Sequence, residues 1–151
     1  MKITKIIVLT ALILSLSAAA VAQKKAADYK ITNVRIVPFD GATGEFGEEI
    51  KPGGDRSFFN DLSISLFVAV EISGEKGTFE AGRKAEITVT EGKKLKTKKL
   101  EQVGLIGEGG KFYIPVWLDS AMCSDVKITA RLVGQKTPSS VTRTVPFLCG
   151  E

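Results

Sequence analysis

The chain has no histidine. That removes Ser-His and Cys-His nucleophilic pairs, imidazole-bound zinc or copper, and histidine-ligated haem. Cysteine is scarce: Cys123 and Cys149 are the only two, and their long spacing does not suit a metal pair. No Gly-x-Ser-x-Gly or Walker-type loop occurs. The glycine-rich breaks, such as Gly53-Gly54 and Gly107 to Gly110, lie between strand-like segments, with no helix start behind them to hold a phosphate. Beyond Ala22 there is no helical stripe, no internal repeat and no sign of a second domain. Catalytic residues, cofactor and metal are therefore all expected to be none.

What is present begins with an export signal. Lys2 and Lys5 precede an uncharged run from Ile6 to Ala22 that ends in Ala20-Val21-Ala22. A basic start, an apolar middle and small residues at the cleavage position define a secretory signal peptide. The run is at the short limit for a membrane span. Residues 1–22 are read as signal and 23–151 as one exported domain, periplasmic or extracellular, with no membrane span left after cleavage. Its length suffices for a core of its own. The pI near 9.1 overstates the mature chain's basicity, because two lysines and no acid leave with the signal. Nothing in that balance points to nucleic acid as a partner. In an oxidising compartment, an even cysteine count reads as one disulfide, Cys123 to Cys149.

Period-two alternation dominates the mature sequence, the mark of half-buried strands. From Leu62 to Ile72 every even position is apolar. Tyr29 to Phe39 reads as a first strand whose phase breaks at Thr32-Asn33, where a bulge restores it. Asp40 to Gly44 suits a turn, with Glu45 to Ile50 returning beside that strand. Ala85, Ile87 and Val89 form another row, and a three-residue loop, Glu91-Gly92-Lys93, sets Leu95 opposite Val89 on the core face. Phe112, Ile114, Val116 and Leu118 follow, with Pro115 favouring an edge or a bulge. Val126, Ile128, Ala130 and Leu132 face Val141, Val145 and Phe147 in a last hairpin. Matching faces gives the pairs Val126 with Phe147, Ile128 with Val145, and Leu132 with Val141. The expected fold is all-β: a single antiparallel β-sandwich of about seven to nine strands, immunoglobulin-like in architecture only, with a β-barrel as the alternative.

Three features are candidates for function. Asp40, Glu45, Glu48, Glu49, Asp55 and Asp61 crowd a glycine-rich stretch. Their spacing does not match a calcium loop, and turns favour such residues for backbone reasons. A small carboxylate-dependent hydrolase stays open as an alternative. Lys93, Lys94, Lys96, Lys98 and Lys99 form a basic run, read either as a polyanion-binding surface or as lysines guarding a sheet edge. Tyr113 and Trp117, four apart, point one way on a strand and offer an aromatic contact surface, or form the second side of a buried strand. The leading expectation is a non-catalytic binding or structural module, its partner an envelope protein or a glycan.

Overall fold

The computed structural model describes residues 27–53, 58–59, 63–119 and 122–148. The signal segment, Asp55, Asp61 and Cys149 lie outside them. One antiparallel sheet has the order β2-β1-β4-β7: β1 is Lys30–Asp40, β2 Glu45–Phe46, β4 Ile64–Ser73 and β7 Lys111–Leu118. The other has the order β6-β5-β8-β9: β5 is Lys84–Glu91, β6 Lys94–Gln102, β8 Val126–Val133 and β9 Ser140–Val145. A short parallel pair joins β3 (Phe58–Phe59) to β10 (Phe147–Leu148). No helix occurs among the described residues, and so none long and apolar enough to cross a membrane.

The alternating apolar positions explain why two sheets form and why they stack. Val34 and Ile36 of β1, Leu66, Val68, Val70 and Ile72 of β4, and Ile114 and Val116 of β7 are buried against Ala85, Ile87, Val89, Val126, Ile128, Ala130 and Val145 of the second sheet. Each of these strands turns one face inward and one outward. The molecule is a β-sandwich, and the strands divide between its sheets in the interleaved manner of immunoglobulin-like domains. It is not a barrel: the two sheets are separate ladders.

Several local features follow the sequence closely. The β1–β4 register shifts between Ile31 and Asn33, the expected bulge. Asp40 caps its own turn, its Oδ1 accepting the Ala42 N–H at 2.8 Å, and Gly44 closes the turn at φ 75°. The return strand pairs Phe39 with Phe46, and Ile50 N–H then donates to the Ile36 carbonyl at 2.8 Å. Pro115 lies on β7, the end strand of its sheet.

Two hairpins differ from expectation. Between β5 and β6 the turn has two residues, Gly92 and Lys93, with Glu91 paired to Lys94 and Thr90 to Leu95. The register then slips, so Val89 faces Thr97, and Leu95 points to solvent. Gly92, at φ 53°, permits the tighter turn, and Glu91 gains an ion pair to Lys96 at 3.1 Å. Between β8 and β9 the pairs are Val126 with Val145 and Ala130 with Val141, two residues away from the expected register. A slip of two keeps every side chain on its face, so the apolar pattern does not distinguish the registers.

The physical reason for the second register is Arg143. It sits opposite Ile128 on the core side and is almost fully buried. Its Nη1 donates to the Val34 carbonyl at 3.0 Å and its Nη2 to the Ile50 carbonyl at 2.7 Å. Desolvation lowers its pKa, but an arginine keeps its charge, and these carbonyls replace the water it loses. One side chain of the second sheet thus stitches together β1 and the segment that returns beside it.

Candidate functional site

The outer face of the β2-β1-β4-β7 sheet carries the most unusual surface of the molecule. The register aligns Val37 of β1, Phe67 of β4 and Trp117 of β7 across three strands, and pairs Phe39 with Phe46 at the sheet's end. Four rings gather there. Phe39 lies 5.0 Å from Phe46 and 5.3 Å from Trp117, centroid to centroid. Phe67 lies 6.2 Å from Phe46 and 6.3 Å from Trp117. Interplanar angles run from 52° to 87°, so the rings meet tilted or edge to face and form a bunch, not a flat row. Phe46 is 59% exposed and Trp117 43%. At the border, Asp119 accepts a hydrogen bond from Ser65 Oγ at 3.2 Å, and Arg35 holds Glu49 at 2.7 Å.

The expected pair of Tyr113 and Trp117 is divided between two environments. Trp117 joins the cluster. Tyr113 lies two rows along the sheet, beside Glu71, and its hydroxyl donates to Glu71 Oε2 at 3.1 Å. Glu71 also accepts from Thr32 Oγ1 at 2.7 Å and pairs with Lys111 at 3.0 Å. These bonds, that from Thr32 foremost, hold its carboxyl below the usual range against the opposing effect of burial. Phe39, Phe46 and Phe67 were not singled out from sequence. The available signal was that Phe39 and Phe67 fall on the off-core phase of their strands.

Around the β7 edge the cluster opens into a cleft. Trp117, Leu118, Asp119 and Met122 face Val89, Lys96 and Thr97 of the other sheet, enclosing about 280 Å³. The walls are mixed: Val89, Trp117, Leu118 and Met122 are apolar, and Lys96, Thr97 and Asp119 are polar.

The lysine run does not converge. Lys94, Lys96, Lys98 and Lys99 lie on β6, an end strand, and Lys93 in its turn. Lys98 shares the outer face with Thr88, and Lys99 shares the opposite face with Ile87. Lys96 pairs with Glu91, and Lys98 with Glu86 at 3.3 Å. Arg131 also holds Glu86, at 2.7 Å, and is the main reason its pKa is depressed. Glu91 is depressed chiefly by the Cys123 N–H, which it accepts at 2.6 Å.

Of the carboxylate-rich stretch, Asp40 and Glu49 are engaged separately. Asp40 serves its own turn, where the Ala42 N–H is the first cause of its lowered pKa. Glu49 serves Arg35. Among the described residues no three histidine, cysteine, aspartate or glutamate side chains gather closely enough to hold a metal. The chain matches no known protein-family model and no curated protein sequence.

Proposed function

We propose that this protein is a non-catalytic, exported binding module, with the Phe39, Phe46, Phe67 and Trp117 cluster as its contact surface. The observation that carries this is the half-exposed aromatic cluster itself, on the outer face of a sheet whose inner face already supplies the core. Contiguous exposed apolar surface is uncommon on soluble domains and concentrates at interaction sites, where aromatic residues are enriched. Rings set at these angles offer an uneven surface. That suits the irregular side chains of a protein better than the flat face of a glycan, so an envelope protein is the favoured partner. Asp40 and Glu49 both have structural partners, which favours binding over hydrolysis. Export rests on the Lys2, Lys5 and Ala20-Val21-Ala22 pattern, and with it a Cys123 to Cys149 disulfide.

Trp117 is the only tryptophan, so a 5-fluorotryptophan label there reports on this surface and the adjoining cleft. Fractions of envelope extract should shift and broaden its fluorine resonance. Phe46→Ser should weaken that response at least about tenfold, as expected for an aromatic contact residue. An undiminished response in Phe46→Ser, or one produced by purified polysaccharide alone, would overturn the proposal.

A further inference from the structure

Two strands end their sheets on the side where the cleft opens, β6 and β7. Their edges are built differently. On β7, Pro115 interrupts the run of N–H donors, a device that discourages pairing with another strand. On β6, Lys94 to Gln102 contain no proline, and among the described residues this strand pairs only with β5. Past the bulge at Lys96, its main chain from Thr97 to Gln102 presents a continuous edge.

The side chains of β6 are more than a guard. Lysines alone would keep the edge soluble. Yet Leu95 and Leu100 stand among them at 56% and 54% exposure. Exposed leucines oppose such protection and supply apolar contact area. On the inner side the edge borders the cleft, where Val89, Leu118 and Met122 line a space large enough for an apolar side chain. Charge then selects the occupant. Lys96 and Lys98 have carboxylate partners on β5, whereas no ion pair joins Lys93, Lys94 or Lys99 to the described residues. A second copy of the same edge would bring the four lysines of each β6 together with only Glu101 on each strand to offset them, and like charges directly opposed are unfavourable.

We propose that the free edge of β6 takes up an extended acidic segment of a partner protein as an added strand. Main-chain hydrogen bonds run along the edge. Carboxylates of the partner lie beside Lys98 on one face and Lys99 on the other. Its apolar side chains pack on Leu95 and Leu100 and reach the cleft. The inference rests on the protein being a binding module; its main contact is the β6 edge, which meets the aromatic cluster only where Trp117 lines the cleft.

The test uses a synthetic peptide repeating Glu-Glu-Val-Val three times, which places both residue types on each face of a strand. Controls are its Lys-Lys-Val-Val counterpart, the acidic peptide N-methylated at alternate residues, and heparin. The acidic peptide should slow amide hydrogen exchange along β6 more than tenfold, and raised salt should weaken the effect. Its binding should fall at least tenfold in the Lys98→Glu/Lys99→Glu variant, which should gain affinity for the lysine peptide. The protection should survive Phe46→Ser, which separates failure here from failure of the aromatic surface. Absent protection in β6, equal binding of the N-methylated peptide, or full displacement by heparin would each overturn the proposal. The last two results would indicate a charge-only polyanion surface.

Discussion

The two sheets share one core but turn different faces to solvent. The outer face of the β6-β5-β8-β9 sheet is hydroxyl-rich and charged. Thr88, Thr129 and Thr142 form a row across three strands, with the Thr129 and Thr142 hydroxyls 3.1 Å apart, and Glu86 bridges Arg131 and Lys98. The outer face of the other sheet carries the four-ring cluster, and its polar groups gather at the far rows around Glu71. Sandwich packing constrains only the inner faces. Away from the β6 edge with its exposed Leu95 and Leu100, the threonine rows of β5, β8 and β9 show what solubility alone requires, so the aromatic face calls for a separate explanation.

The largest expected effect removes the foundation common to both faces. Arg143→Met leaves the buried Val34 and Ile50 carbonyls without their donors and should cost about 3 kcal/mol in urea denaturation. Arg143→Lys, which cannot span both carbonyls equally well, should recover only part of that loss. If the loss is negligible, the two faces do not share this support.

Next is Glu71, the polar anchor of the aromatic sheet. Glu71→Gln should cost about 1–2 kcal/mol at neutral pH, because charge-assisted bonds from Thr32, Lys111 and Tyr113 are weakened. The carboxyl's folded pKa is depressed. Its contribution is therefore present above the unfolded carboxylate pKa of about 4.3 and is lost as pH falls through the lower folded value. Urea midpoints from about pH 6 down to about pH 3 should fall less steeply in the variant than in the wild type.

Smaller still is Phe46→Ser. A half-exposed ring should change stability by no more than about 1 kcal/mol, but the variant should bind markedly less of an apolar fluorescent dye. Thr129→Ala on the opposite face should leave dye binding unchanged. The smallest effect belongs to Glu86→Gln. This ion-pair centre, whose partners Lys98 and Arg131 are both exposed, should move the melting temperature only slightly, and the shift should shrink in high salt.

Alternation was enough to locate most strands, since burial on one side imposes a period of two. The Thr32-Asn33 bulge and the Asp40 turn were legible for equally local reasons. Three things were not. The β8–β9 register was hidden because its alternatives differ by two residues and preserve every face. Arg143 stands between Val141 and Val145 on the core phase, and nothing local marks it as buried, because its burial depends on carbonyls supplied by residues far away in sequence. The aromatic cluster was half visible: Trp117 could be placed on an outer face, but its neighbours Phe39 and Phe67 come from strands whose order alternation does not reveal.

The start of β1 is secured by the end of the chain. The Gln135 side chain donates to the Tyr29 carbonyl at 2.9 Å and accepts from its N–H at 3.3 Å. Ser139 Oγ accepts the Ile31 N–H at 2.8 Å, and Arg143 reaches the Val34 carbonyl. These partners are separated by 106 to 109 residues. As synthesis proceeds, the first strand emerges long before the groups that fasten it. Such distant closures carry a loop-entropy cost that must be met before the contacts return any stability, so acquisition of the native state is slow and falls late. A chain truncated before Gln135 should remain protease-sensitive, and resistance should appear only when the β8–β9 hairpin is present.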